Sequence, residues 1–350
     1  MTFSMRVKTM KTAMKKTIIC AVVIVCANTV TLAAEAAGDA EGSATVATSN
    51  ATLRVGTYNI RVAGHGADKG TPNAWGARKK DMVDLIRRLE LDVFGAQEVR
   101  RDQAWYIRKQ LPGFAYVGDF RNKDRVHGEA SPVFYRKDRL EVEKTGTFWL
   151  SKTPDVPGSK GWDAQFPRIC TWVILRDKRT GKRFCFANTH PEAKGAVARR
   201  KGMALIVKRM KEFGEGLPIV FTGDHNSSED EAPALAVKAF LKDALYESKT
   251  PPTGPWRTYT RRCWRAKEVS AVEALKFPRE YRNPPRVGSP NDGKVEVKMY
   301  SGQPYCGPRI DFIYVSPGVK VKSYATHADP RPGMEYYPSD HFPVTAEIEL

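Results

Sequence analysis

The sequence predicts an α/β fold of the α+β kind, mixed β-sheets covered by helices, on three observations. Apolar runs with a period of two recur along its 350 residues; two of them lead through a stretch of helical period into another strand; others are joined by short turns. Strand–helix–strand units make parallel pairs and hairpins make antiparallel ones, so the pattern argues against a doubly wound parallel sheet. In chain order, residues 53–60 (LRVGTYNI) alternate as a first strand. Residues 78–89 place Met82, Ile86 and Leu89 at helical spacing, and 92–96 form a short apolar strand. Strands follow at 132–135, 140–148, 169–176 and 183–189, the last two joined by a turn at Thr180-Gly181. A helix over 196–213 carries Met203, Val207 and Met210 on one face, and strands at 218–222, 309–316, 319–327 and 344–350 complete the pattern.

Composition bounds the class. Hydrophobic residues at 41%, charged residues at 27% and 23 prolines exclude a coiled coil, a collagen and a mostly disordered chain. A formal charge of +18 favours an acidic substrate or partner. Arg6, Lys8, Lys11, Lys15 and Lys16 precede an apolar run over 18–30 and the small-residue stretch Thr31-Leu32-Ala33-Ala34. That is the layout of a signal peptide over 1–34, and a secreted or periplasmic protein is expected. Its removal leaves a chain of about +13, five cations fewer than +18. Residues 35–52 are Ala, Gly, Ser and Thr with little apolar bulk and read as a disordered linker. One domain over 53–350 with a single core is then expected, and a monomer.

Polar residues stand repeatedly where apolar strands end, and loops at strand ends are where sites are assembled. These are Asn59, Gln97-Glu98, Asn188-Thr189-His190, Asp224-His225-Asn226 and Ser339-Asp340-His341, with Asp311 inside an apolar strand. A carboxylate there costs several kcal/mol unless it is paired, and a histidine is its natural partner. Glu98, Asp224, Asp340 and the amides of Asn59 and Asn226 are hard oxygen donors suited to Mg²⁺, with Mn²⁺ or Ca²⁺ as alternatives, and unsuited to zinc. His190 and His341 can handle protons near neutral pH. The combination points to metal-assisted hydrolysis of a phosphate ester.

Thr57-Tyr58-Asn59-Ile60, Gln97-Glu98-Val99-Arg100, Asn188-Thr189-His190, Gly223-Asp224-x-Asn226, Arg309-Ile310-Asp311-Phe312-Ile313 and Ser339-Asp340-His341 stand in the order found in the endonuclease/exonuclease/phosphatase superfamily, which includes deoxyribonuclease I. The chain resembles that superfamily over about 53–350. The resemblance implies a four-layer sandwich, two packed mixed β-sheets flanked by helices. It implies Glu98 as principal metal ligand with Asn59 and Asp340, and Asp224 and Asn226 as the pair that positions or activates the attacking water and holds the phosphate. His341, oriented by Asp311, resembles the family's general base or phosphate-contacting histidine. His190 resembles the second histidine of the site, Glu129 the carboxylate that pairs with it, and Arg100 and Arg168 phosphate contacts. Two departures touch the substrate: His225 stands where the family commonly has an apolar or aromatic residue, and Pro191-Glu192 follows His190. The blocks that mark inositol-polyphosphate 5-phosphatases are absent.

His65, His127, His225 and His327 are expected to be structural or exposed, Trp149, Trp162 and Trp172 to pack, Cys170 and Cys185 to sit in the core, and Cys263 to pair with Cys306. Residues 250–308 form a basic insertion with eleven cations against five acids, interleaved with Trp256, Tyr259, Trp264, Phe277 and Tyr281. Basic side chains with aromatic faces suit single-stranded nucleic acid, and a solvated insertion is the alternative. The expected function is an exported, metal-dependent phosphoesterase, first a nuclease. A phosphatase or a phospholipid or sphingomyelin phosphodiesterase is the alternative, and a non-catalytic binding protein is the reading outside that class.

Overall fold

The computed structural model describes residues 52–260, 308–334 and 336–350. The signal segment, almost all of the linker, the Cys263–Cys306 pairing and residues 261–307 of the basic insertion lie outside the described residues.

The described chain forms two six-stranded sheets. The first contains β1 (Thr52–Asn59), β2 (Val93–Gln97), β3 (Phe114–Val117), β4 (Val133–Arg136), β11 (Lys320–Thr326) and β12 (Val344–Glu349) in the order β11-β12-β1-β2-β4-β3. The second contains β5 (Leu140–Trp149), β6 (Ile169–Asp177), β7 (Arg183–Thr189), β8 (Ile219–Asp224), β9 (Lys242–Asp243) and β10 (Asp311–Val315) in the order β5-β6-β7-β8-β10-β9. Each sheet has a single parallel pair at its centre, β1 with β2 and β7 with β8, flanked by antiparallel neighbours. The parallel pairs exist because α1 (Trp75–Arg88) and α3 (Ala196–Phe213) carry the chain back across the sheet between their strands.

Period-two alternation sorts the side chains into layers. Val55, Val93, Phe184, Phe186, Val220, Ile313 and Val344 pack between the sheets. Phe94, Ala96 and Tyr58 point outward under α1 and under α2 (Arg101–Gln110), where Met82, Ile86 and Ile107 meet them. Cys185, Ala187, Phe221 and Phe312 point outward on the other side, against Met203, Ile206 and Met210 of α3 and Val237 of α4 (Ala232–Lys238). Three apolar seams therefore separate four layers, helix, sheet, sheet, helix, which is the sandwich expected. Cys170 and Cys185 are free and buried. Trp149 is buried and Trp172 stacks on Phe213 at 4.5 Å.

Candidate active site

The alternation that makes the inter-sheet core also makes the site. Following the inward positions along each strand, apolar residues give way to polar ones at one end: Val55 then Thr57 and Asn59, Val93 then Gly95 and Gln97, Phe186 then Asn188, Val220 then Thr222 and Asp224. β10 runs antiparallel to β8 and opens on Asp311, which is in register with Asp224. All of these residues are buried. Asn188 ties the two sheets together. Its Nδ2 donates to Ala96 O (2.9 Å) and Pro132 O (3.0 Å), and its Oδ1 accepts from Gln97 Nε2 (2.7 Å) and Thr222 Oγ1 (3.3 Å). Gly95 makes room for it, since a Cβ there would lie 2.3 Å from Asn188 Oδ1.

Three nitrogens converge on Asp224 Oδ2: Asn59 Nδ2 at 3.0 Å, His190 Nε2 at 3.3 Å and His341 Nε2 at 3.7 Å. Its Oδ1 accepts the backbone N–H of Asn226 at 2.9 Å. Asn226 takes a left-handed backbone (φ 49°) to make that turn, and its Nδ2 donates to Pro191 O. On the far side of the imidazole, His341 Nδ1 bonds Asp311 Oδ2 at 2.8 Å, and Tyr259 stacks on the ring at 4.7 Å. Asp311 thus has the histidine its burial requires. Burial lowers the pKa of His341, but Asp311 and Asp224 carry it above the ordinary value. Burial pushes Asp224 up, and Asp311 adds to it. Burial and the Arg168 guanidinium hold His190 well below the ordinary range, so its imidazole is neutral.

Glu98 follows β2 with a left-handed backbone (φ 61°) that turns its carboxylate back over the strand ends. Its Oε2 accepts the Val62 N–H at 2.7 Å and its Oε1 lies 3.3 Å from Asn59 Nδ2. Burial opposes its ionisation, yet Arg61 and the Val62 N–H hold it well down. Asp340 is buried, 3.3 Å from Arg61 Nη1. Burial and the Glu98 charge push Asp340 up. Glu98, Asp340 and Asn59 are hard oxygen donors, and these residues fit a divalent cation. The ligand atoms of Asp224, Asp311 and His341 also lie within 4.8 Å of one another and could hold an ion, although the bond to Asp311 already engages the His341 Nδ1.

The second histidine departs from its expected pairing. Glu129 gives its carboxylate to Arg121 Nη1 at 2.7 Å, and the buried Nδ1 of His190 has no hydrogen-bond partner among the described residues. The reason is charge: a nearby guanidinium is a stronger partner for a carboxylate than a neutral imidazole. Arg168 is buried beside His190, with its Nε 3.4 Å from Glu192 Oε2. The departure after His190 thus supplies a partner to a predicted site residue. Arg100 is exposed and lines a groove of about 510 Å³ with Trp105, Val126 and His127, outside the strand-end cluster. Sequence reasoning missed Arg121, Arg78 and Gln103. Arg78 is fully buried and donates to Ile60 O, Arg61 O and Pro338 O, joining the loop after Asn59 to the one before Asp340. Gln103 Oε1 accepts Ala63 N, and its Nε2 donates to Arg61 O. No local pattern announces such contacts.

The model of the Endonuclease/Exonuclease/phosphatase family matches residues 56–341. The chain belongs to the endonuclease/exonuclease/phosphatase family. A family structure from Bacteroides vulgatus is 32% identical, with a TM-score of 0.69 over 85% of this chain and 99% of that one. A Bacteroides thetaiotaomicron structure described as a mannosyl-6-phosphatase is 32% identical, with a TM-score of 0.67 over 85% of this chain and 100% of that one. Drosophila melanogaster Nocturnin is 26% identical over 170 residues, 45% of this chain and 25% of the relative. The match thus spans about a quarter of the length of the curated relatives. Members of that family are hydrolases acting on phosphoester bonds. Family enzymes are generally dependent on divalent metals, in agreement with the donor set described above.

Proposed function

We propose that the protein is an exported, monomeric, divalent-metal-dependent phosphoesterase whose site is built on Asp224. What carries this reading is the convergence of Asn59, His190 and His341 on one oxygen of Asp224, next to Glu98. Glu98 would hold the cation with Asn59 and Asp340; Mg²⁺ is the first choice, Mn²⁺ or Ca²⁺ the alternatives. When bound, it supplies charge neutralisation at the phosphoryl oxygens. Asp224, pushed up by burial, takes the proton of the attacking water. Asn226 contacts the phosphate, and Asn59 holds Asp224 in place. His341, kept protonated by Asp311, donates to a phosphoryl oxygen as charge grows there. His190, neutral, orients the phosphate from the other side, with Arg168 behind it.

For the substrate, a small phosphate ester is supported by the likeness to the mannosyl-6-phosphatase, which runs the whole length of that chain. Nucleic acid is the second reading, favoured by the +6 balance of residues 250–308. Export is supported by the five N-terminal cations and the apolar run behind them. Hydrolysis of DNA, RNA, phosphoinositides, sphingomyelin and sugar phosphates, with and without chelator, tests the reading. Chelator-insensitive turnover, or none on any ester, would sink it. If nucleic acid is the substrate, replacing Arg261, Arg262 and Arg265 with Ala flattens the salt dependence of oligonucleotide binding by roughly 0.7 in slope per lost contact. An unchanged slope removes that reading.

A further inference from the structure

Beside the metal-ligand carboxylates stands a second group of charges that the proposed reaction does not use fully. Arg121 and Arg168 are 9% and 8% exposed, which is unusual for two guanidiniums on one wall. Each is fixed by its own carboxylate: Arg121 Nη1 by Glu129 at 2.7 Å, Arg168 Nε by Glu192 at 3.4 Å. Glu192 is itself pinned by the backbone N–H groups of Gln165 (3.2 Å) and Lys194 (3.0 Å). Arg121 lies over the Phe166 ring at 4.8 Å, and its backbone carbonyl accepts Trp149 Nε1 at 2.7 Å. Both guanidiniums are thereby held rigid. Neither terminal nitrogen of Arg168 makes a hydrogen bond to the described residues, and Nη2 of Arg121 makes none.

The Phe166 ring under Arg121 stands two residues before Arg168, and both guanidiniums act on His190 of the site. Arg168 and Arg121 both depress the imidazole of His190, and Arg168 depresses Arg121 after burial has done so. Each guanidinium is balanced by its own carboxylate and still keeps unused N–H donors, which an anion in reach of both would satisfy. A phosphodiester brings one negative charge. A phosphomonoester near neutral pH brings close to two, spread over three terminal oxygens.

We propose that Arg121 and Arg168, braced by Glu129 and Glu192, form a two-pronged subsite that selects a terminal phosphate dianion, making the protein a phosphomonoesterase. The proposal rests on the phosphoesterase reading and names its substrate class. One guanidinium serves the oxygen that a diester would also present; the other serves the third terminal oxygen, which a diester carries esterified and uncharged. Arg121 is the discriminating residue, since its partner Glu129 would otherwise have been free to pair with His190.

The test compares kcat/KM for phenyl phosphate and for methyl phenyl phosphate in Mg²⁺, in the parent and in Arg121→Gln and Arg121→Lys. The parent should favour the monoester, and Arg121→Gln should lower the monoester-to-diester ratio roughly 10- to 100-fold, the equivalent of one charge-assisted hydrogen bond. Arg121→Lys should recover part of the ratio. Equal losses on both esters, or a parent that prefers the diester, would overturn the proposal. Calorimetry on the unaltered protein gives an independent reading should Arg121→Gln fail to fold. Inorganic phosphate should bind at least about tenfold more tightly than dimethyl phosphate, and equal affinities would overturn the subsite. Turnover of neither ester with any divalent metal would refute the phosphoesterase reading instead, and the binding comparison would still judge the subsite.

Discussion

His225 offers a prediction in which stability and pH are linked through one side chain. It follows Asp224 directly, is fully buried, and neither of its ring nitrogens has a hydrogen-bond partner among the described residues. Its ring lies among Phe221, Phe312 and Tyr314 at centroid distances of 5.1, 5.1 and 5.6 Å. Burial, with the Arg309 guanidinium adding to it, lowers its pKa from 6.5 to about 3. The folded protein therefore keeps His225 neutral at pH values where the unfolded chain protonates it. Stability is unaffected above about pH 6.5 and falls as pH drops below it, by about 1.4 kcal/mol per pH unit until the folded value is reached. By pH 5 the loss is about 2 kcal/mol, and near pH 3 it approaches about 5 kcal/mol.

Replacing His225 with Phe removes this linkage and places an aromatic ring in an aromatic cage, without two buried nitrogens that lack partners. Urea unfolding of parent and His225→Phe at pH 8, 7, 6 and 5, at fixed ionic strength, measures the difference directly. The variant should gain on the parent by about 2 kcal/mol between pH 8 and pH 5. Other depressed histidines, such as His327, act on both proteins and cancel in the difference. A stability difference that does not change with pH would refute the reasoning.

Three further outcomes follow from the same geometry. Glu98→Gln keeps volume but loses charge, so metal-dependent turnover should fall by about 10²–10³-fold while the protein stays folded; near-parental activity in Mg²⁺ would remove Glu98 from the metal site. Asp311→Asn and His341→Ala should impair one step, so the double variant should lose little more than the worse single one; a loss equal to the product of both would break the pairing. Asn188→Ala strips both sheets of their shared amide and should destabilise by roughly 3 kcal/mol, read from the urea midpoint, whereas a cost under about 0.5 kcal/mol would deny Asn188 its role as a tie.

Much of this was legible in the sequence because strand and site share one periodicity. The long strands are found within a residue or two, and Asn59, Asp224 and Asp311 stand at the inward register positions where the apolar run stops. What escaped has weak local signals. α2 buries only Gln103, Ala104 and Ile107, and a glutamine in the apolar stripe hides the helix. β3 is half-buried along its whole length, and β9 has two residues. No period marks such elements.

Side-chain partners across elements are a different matter, because they depend on which charges the fold brings together. Glu129 shows how. By position it matches a partner for His190, yet eight residues earlier the chain carries Arg121, and the strand bridge Phe120↔Ala130 folds the two onto each other. A guanidinium at 2.7 Å then outcompetes an imidazole that burial has already made neutral. Glu192 repeats the logic at Arg168: the residue that departs from the family pattern is the one that fixes the neighbouring cation. The metal-facing half of the site is written in strand ends and can be read there. The half around His190 is written in pairs of opposite charges, Arg121 with Glu129 and Arg168 with Glu192, and only the fold shows which charge meets which.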